Sequence, residues 1–183
     1  MVAEAPVRRT DAGLVPDGDG WFVVNARDAP WKSTNGELST FCHFEGDENF
    51  RQLGINISIV PAGRPMCMYH YEVDQEDFLV LSGEALLIAE GEERPLKQWD
   101  FVHCPPNTRH VIVGAGDEPA VILCVGSRIA ATRDNWGAYT VDETALRHDA
   151  GVERETSSGE EAYAQYPEPT PTRYEDGWLP ASR

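Results

Sequence analysis

The sequence predicts an all-β fold, a sandwich or a barrel, and two observations support this prediction. First, short apolar runs recur between Leu53 and Val125, and the run at 55–60 alternates with the period of two that strands show. Second, glycines and prolines that favour turns separate these runs, as at 61–63 and 114–117. The chain of 183 residues suffices for one such domain with extensions.

The elements around this region are predicted in chain order. Residues 1–20 contain two prolines and an Asp-Gly-Asp-Gly run, which is typical of a loose arm. Two apolar runs, Trp21–Val24 and Leu38–Phe44, are short strand candidates ahead of the regular region. Within that region, the Glu90-Gly91-Glu92 sequence predicts the tip of a β-hairpin.

The composition changes after Gly126. Asp142 has the side chain of a helix N-cap and predicts a helix that runs to His148, and a second short helix is predicted within 158–165. Four prolines between 167 and 180 favour extended or disordered chain there. Because aromatic residues recur in the same stretch, we expect the tail to pack on the barrel or on a partner subunit.

The charge of the chain narrows the choice of partners. It has 31 acidic and 15 basic side chains, which gives a net charge of −16. An acidic surface repels phosphate backbones and anionic lipids, so neither a nucleic acid nor a membrane is expected as a partner. Since the sequence shows no apolar run of about 18 residues and no signal peptide, a cytoplasmic protein is expected.

Four side chains stand out as candidate metal ligands: His70, Glu72, Glu76 and His110. Residues i and i+2 of a strand face the same side, so His70 and Glu72 share a face, and a turn after Glu72 would bring Glu76 back to it. Two imidazoles and two carboxylates suit one divalent transition metal, which could be Fe, Mn, Zn or Ni. The four cysteines lack zinc-site spacing and are expected to be buried free thiols.

At this point the sequence resembles the cupin family of small double-stranded β-helix barrels. Two stretches carry the resemblance: Gly63-x6-His70-x-Glu72-x3-Glu76-x6-Gly83 and Pro105-Pro106-Asn107-x2-His110. The resemblance implies that His70, Glu76 and His110 are metal ligands. It also implies that Glu72 stands where the family has a second histidine.

Three details depart from the family pattern. The first stretch is one residue longer before His70 than the family motif. Trp99 and Asn107 stand where the family usually has glycine. Of these two, Asn107 is the milder change, because asparagine tolerates a positive φ better than most residues.

The resemblance implies a jelly-roll barrel domain over 47–127. Residues 1–46 are then an N-terminal arm that packs on the barrel, and residues 128–183 are a partly helical, proline-rich tail with short C-terminal helices. A homodimer is expected, because single-domain cupins commonly dimerise and sheet edges offer a surface for it.

The role of Glu72 has three alternatives. It could be a fourth metal ligand, which would raise the affinity for a hard cation. It could instead be a catalytic base beside a metal that His70, Glu76 and His110 hold. In a barrel that holds no metal, Glu72 and Glu76 would repel each other and one of them would be protonated.

Three further residues are candidates for substrate binding. Met68 has the same strand parity as His70 and could line the pocket. Arg109 could anchor an anionic substrate, although a solvated surface arginine is the more ordinary role. His103 could line the pocket, although strand parity alone does not place it there.

The resemblance implies a metal-dependent enzyme that acts on a small organic molecule, with dioxygenase-, isomerase- or decarboxylase-like chemistry. The alternative is a non-catalytic cupin that binds a small ligand, either a sugar or an organic acid. A third possibility is a barrel without metal that serves only protein interaction. The sequence leaves the substrate and the metal open.

Overall fold

The computed structural model describes residues 1–180, and antiparallel strands make up most of its regular structure. The strands in chain order are β1 Val7–Arg9, β2 Leu14–Pro16, β3 Trp31–Ser33, β4 Thr40–His43, β5 Leu53–Val60, β6 His70–Glu72, β7 Glu76–Ser82, β8 Glu84–Ala89, β9 Glu92–Lys97, β10 Phe101–Cys104, β11 His110–Ala115, β12 Ala120–Ser127, β13 Gly137–Tyr139 and β14 Thr170–Thr172. The two short helices are α1 Glu143–Arg147 and α2 Gly159–Ala162. The all-β prediction is confirmed.

Two large sheets form the barrel. One has seven strands in the order β10-β7-β12-β5-β4-β3-β14, and the other has five in the order β13-β6-β11-β8-β9. The strands β1 and β2 form a separate antiparallel pair. The hairpin predicted at Glu90-Gly91-Glu92 is confirmed, since both Glu90 and Gly91 have positive φ between β8 and β9.

The apolar core lies between these two sheets. Its buried residues come from both sheets: Val60, Phe78, Ala85, Leu87, Val102, Cys104, Ile112, Ala120, Ile122 and Cys124. Because side chains alternate along β5, Val60 enters this core, whereas Ile57 and Ile59 face the other side of the sheet and pack with Trp31. The free energy of burial therefore depends on both sheets closing on each other.

The C-terminal extension covers the outer face of the five-stranded sheet. Ala145 in α1 and Ala150 after it are fully buried against Ile88 and Val111. The predicted cap is confirmed, because the Asp142 side chain accepts a hydrogen bond from the Ala145 amide at 2.8 Å. This packing explains why β11 is buried on both of its faces.

The outer face of the seven-stranded sheet is covered by both ends of the chain. Trp31 on β3 is fully buried, and its ring lies 6.0 Å from that of Tyr174 and 5.2 Å from that of Trp178. The tail therefore packs on the barrel of its own chain.

The strand predicted at Trp21–Val24 is wrong, since Trp21 makes only an isolated bridge with Glu4.

The helices of the described chain are short. Across residues 1–180, no helix combines the length and the apolar character that a membrane crossing requires.

Two positions where the sequence lacks a family glycine have a left-handed backbone. Trp99 has φ of 75° and Asn107 has φ of 68°. Asparagine adopts this region with little strain, whereas a bulky aromatic residue rarely does. The Trp99 side chain is 66% exposed, so the little packing that the ring gains offsets little of the backbone strain at this residue.

We expect Trp99→Gly to leave the free energy of unfolding unchanged or to raise it by up to about 1 kcal/mol, because relief of the left-handed strain outweighs the added chain entropy. Urea denaturation measures the effect. Trp99→Ala is the matched control, since it removes the ring but keeps the Cβ atom. A glycine variant less stable than the alanine variant would show that no strain is stored there.

A buried carboxylate holds the turn between β6 and β7. Asp74 is 6% exposed and accepts hydrogen bonds from the Ile129, Ala130 and Ala131 amides at 3.3, 3.0 and 2.7 Å. The Ser127 hydroxyl donates a further bond at 3.2 Å. Burial would raise the pKa of Asp74, but these donors favour the ionised form and lower it. Asp74 therefore links the turn before Glu76 to the chain after β12.

We expect Asp74→Asn to lower the free energy of unfolding by about 1–3 kcal/mol at neutral pH, because an amide leaves buried donors unpaired. The depressed pKa of the folded state means that this stabilisation exists above the ordinary aspartate value of about 3.9 and is lost as pH falls through the folded-state value. The difference between wild type and variant should therefore shrink in acid. Thermal unfolding across pH, with the exposed Asp117→Asn as control, checks both parts. A difference that does not depend on pH would contradict the role of the charge.

Candidate metal centre

Two histidines meet because neighbouring strands place them in register. In the antiparallel pairing of β11 with β6, His110 lies directly opposite His70. Directly opposite residues project from the same face of a sheet, and here the ring centroids lie 5.0 Å apart. This face points into the barrel, where His70 is 8% and His110 is 1% exposed.

Backbone carbonyls orient both imidazole rings. The Nδ1–H of His70 donates to the Met68 carbonyl at 2.8 Å, and that of His110 donates to the Thr108 carbonyl at 3.0 Å. A carbonyl can only accept, so each bond assigns the proton to Nδ1 and leaves Nε2 with a free lone pair. Hydrogen bonds of this kind also position histidines that bind metals.

Glu76 approaches the histidines from the other sheet. It is the first residue of β7, and its Oε2 lies 3.5 Å from His70 Nε2 and 3.3 Å from His110 Nε2. Two atoms that bind one metal at about 2.1 Å with ordinary coordination angles are about 3.0–3.4 Å apart. One ligand atom from each of the three residues lies within 4.8 Å of the others, so the group could hold a metal ion.

The buried polar atoms of this group support that assignment. Within residues 1–180, Glu76 Oε2 and His110 Nε2 are buried and have no hydrogen-bond partner. Such atoms are uncommon because desolvation without a partner is costly. A cation bound between His70, Glu76 and His110 would supply the missing interactions.

The ionisation of the three groups is coupled. Burial would raise the pKa of Glu76, but His70 and His110 lower it. Burial, followed by the charge on His70, lowers the pKa of His110. Burial opposes a charge on His70, yet Cys67 and Glu76 raise its pKa. Because histidine and glutamate bind a metal in their deprotonated forms, metal binding at this centre would depend on pH.

Glu72 lies beside the three residues but is not one of the group. It follows His70 on the same face of β6 and lines the same cavity. Burial, and then the negative charge of Glu76, raises the pKa of Glu72 to about 7. A carboxyl with that pKa can gain or lose a proton near neutral pH.

A cavity of about 850 Å³ opens above the metal centre. Tyr139 is in the same cross-strand row as the histidines, since it lies opposite His70 in the pairing of β13 with β6. Residues 159–169 of the tail form part of the wall. The aromatic residues of the lining are Phe41, Phe78, Trp136, Tyr139, Tyr163 and Tyr166.

The structure places the three other candidates away from this cavity. Met68 is fully buried against Val152 and Ala162. His103 is exposed on β10, with Nδ1 2.6 Å from the Asp77 carboxylate. Arg109 lies over the ring of Tyr71, 5.6 Å from its centroid.

Strand parity fails for Met68 because β6 begins only at His70. The preceding residues follow no regular alternation, so Met66 and Cys67 line the cavity instead.

The prediction that the cysteines are free thiols is confirmed for all four. Cys42, Cys104 and Cys124 are buried as predicted, whereas Cys67 is only partly buried.

Sequence reasoning did not assign Trp136, Tyr139 or Tyr163 to the site. They lie more than 20 residues beyond the second motif, and only long-range pairing brings them to His70. The recurrence of aromatic residues in the proline-rich tail predicted that the tail packs against other parts of the protein, but it did not predict which surface the tail covers.

Comparison with known proteins identifies the domain. Residues 56–126 match the model of the family described as the cupin domain. The matched stretch contains all four sequence-predicted metal ligands, and the two antiparallel sheets around it have the double-stranded β-helix fold. No curated protein matches the chain.

Solved structures include similar proteins from several bacteria. One from Acidithiobacillus ferrooxidans, described as a proposed sugar phosphate isomerase, is 28% identical with a TM-score of 0.47, and the match covers 51% of this chain and 62% of that one. This chain thus spans less than two thirds of that protein's length.

Two other structures show the shared fold. A predicted oxalate decarboxylase from Thermotoga maritima is 19% identical, with a TM-score of 0.51 over 58% of this chain and 99% of that one. An RmlC-like cupin from Shewanella frigidimarina is 15% identical, with a TM-score of 0.50 over 61% of this chain and 92% of that one.

We expect His110→Ala to lower metal affinity by roughly 100-fold or more, because one of three ligands is lost from a buried site. Elemental analysis of protein purified without chelators or a nickel column measures occupancy, and circular dichroism checks the fold. His103→Ala is the matched control, since it removes an exposed imidazole. His110→Gln provides a second variant if the alanine cavity destabilises the barrel. Full occupancy in both His110 variants would exclude His110 as a ligand.

Proposed function

We propose that this protein is a metal-dependent enzyme that acts on a small organic molecule. One observation carries the proposal: the Nε2 atoms of two oriented histidines converge on Glu76 Oε2, and two of these three residues, His70 and Glu76, line a large cavity. A structural metal site usually closes its coordination with four protein ligands, whereas three ligands leave a position for substrate.

In this proposal His70, Glu76 and His110 hold one divalent transition metal, which could be Fe, Mn, Zn or Ni. When bound, such an ion supplies Lewis-acid chemistry to an oxygen atom of the substrate or a binding position for O2. The protein holds the rings through the Met68 and Thr108 carbonyls, so its ligands need little reorganisation.

Glu72 is the proposed proton carrier. Its carboxyl faces the cavity that holds the substrate, and its pKa of about 7 allows it to accept or donate a proton at neutral pH. A base that moves a proton beside a metal suits isomerase- or decarboxylase-like reactions. Dioxygenase-like chemistry needs the metal to bind O2 and uses Glu72 less directly.

The alternative is a non-catalytic module that binds a small ligand, such as a sugar or an organic acid. The aromatic lining of the cavity favours it, because aromatic walls also suit reversible binding. Structural neighbours under 25% identical support the fold alone, so the decarboxylase name of one of them does not decide between catalysis and binding.

A homodimer stays a prediction. Two exposed aromatic side chains support a homodimer. Phe101, which is 64% exposed, lies on the edge strand β10, and Trp99, which is 66% exposed, lies just before this strand.

We expect Glu72→Gln to keep metal occupancy while removing the group that titrates near pH 7 from the metal-free protein. Carbon NMR of labelled glutamate carboxyls measures this titration. On any substrate found by screening, the turnover number should fall by about 10²–10⁴-fold with little change in KM. The exposed Glu118→Gln is the control. If Glu72→Gln loses metal as fully as His110→Ala does, then Glu72 is a ligand and the proposed base is wrong.

A further inference from the structure

We infer that the cavity selects an uncharged or cationic aromatic molecule and rejects carboxylates and phosphates. The inference rests on the proposed function only in taking the cavity above His70, Glu76 and His110 as the substrate site. Two independent features of the lining carry it, the sign of its charges and the arrangement of its rings.

Apart from the imidazoles of His43 and His70, the ionisable groups that carry charge at neutral pH in the lining are acidic. Among the lining residues of the described chain there is no lysine or arginine. Besides Glu76, the carboxylates of Glu72, Glu160 and Glu168 belong to the lining. An anion that entered would lose its hydration, would find no lysine or arginine in the lining and would meet these carboxylates, which disfavours binding.

Cations near the cavity are already engaged or lie on the surface. Arg64 forms an ion pair with Glu37 at 3.3 Å. Arg128 forms an ion pair with Glu45 and donates to the Phe50 carbonyl at 3.0 Å. Neither arginine belongs to the cavity lining, so neither offers a guanidinium to a bound anion.

A divalent metal would add two positive charges to the site, of which Glu76 offsets one. The acidic side chains of Glu160 and Glu168 would still repel an anion that enters the cavity, whereas a neutral phenol or alcohol meets no such repulsion.

The rings of the wall form a continuous aromatic surface next to the metal centre. The centroid of Trp136 lies 5.1 Å from that of Tyr139, and Tyr139 lies 5.5 Å from Tyr163 in an edge-to-face contact. Tyr139 and Trp136 also lie 6.0 and 6.2 Å from the His70 ring. Such a surface favours a planar ring, and its electron-rich faces also attract cations.

This wall is held in place by hydrogen bonds from its polar ends. The Tyr163 hydroxyl accepts from the Met68 amide at 3.2 Å, and the Tyr166 hydroxyl donates to the Asp149 carbonyl at 2.7 Å. Trp136 Nε1 donates to the Ser157 carbonyl at 3.2 Å. Because the ring positions are set before a ligand arrives, little conformational entropy is lost on binding.

Three probes with one ring system and different charges test the inference: 2-naphthol, 2-naphthoate and 2-naphthyl phosphate. Calorimetric titration of the chelator-treated full chain at neutral pH gives their affinities. We expect 2-naphthol to bind roughly tenfold or more tightly than either anion. Equal or tighter binding of an anion, or no binding of 2-naphthol, would overturn the inference.

Variants separate the two features. Glu160→Gln with Glu168→Gln should improve 2-naphthoate binding by about threefold to tenfold and leave 2-naphthol unchanged, whereas the exposed pair Glu153→Gln with Glu155→Gln should change neither. Trp136→Ala should weaken 2-naphthol binding by about fivefold to tenfold. Unchanged affinities in both cavity variants would place the probes elsewhere and overturn the inference.

Metal content is measured separately on the same preparations. Because the titrations use metal-free protein, their result does not depend on metal binding. A protein that binds no metal would contradict the proposed enzyme but not the inferred substrate class. A protein that binds metal but prefers the anionic probes would contradict only the inferred substrate class.

Discussion

The pairing of β11 with β6, which sets His110 opposite His70, is the constraint on which the site depends. A slip of one residue would turn one of the two imidazoles to the outside of the barrel, because side chains alternate along a strand. The same pairing continues to β13 and sets Tyr139 beside His70. One row of the five-stranded sheet thus supplies two candidate metal ligands and the first ring of the cavity wall.

The third candidate ligand, Glu76, comes from the opposite sheet, so the barrel must close before the three residues meet. Glu76 begins β7 directly after the turn that Asp74 ties to residues 127–131. The closed barrel leaves Glu76 Oε2 and His110 Nε2 buried without partners in the described chain. The desolvation of these two atoms is unfavourable for folding, and a bound cation would offset that cost.

The C-terminal extension has two roles at once. Its Ala145 and Tyr174 cover the outer faces of the two sheets, and its Trp136 and Tyr163 line the cavity. The match to the cupin family ends at residue 126, so these parts lie beyond the shared domain. The wall of the cavity beside the candidate metal centre therefore comes in part from a segment outside the stretch that matches the family.

The sequence by itself determined the all-β barrel and the candidate ligands His70, Glu76 and His110, because strand periodicity and motif spacing are local properties. It also marked the helix cap Asp142. Strand parity placed Met68 in the pocket wrongly, since alternation holds only within a regular strand. The tertiary structure alone decided that Glu72 lies beside the ligand group and that tail aromatics complete the cavity. Those relations join residues distant in the chain, and only the packing of one sheet and the tail against the other brings them together.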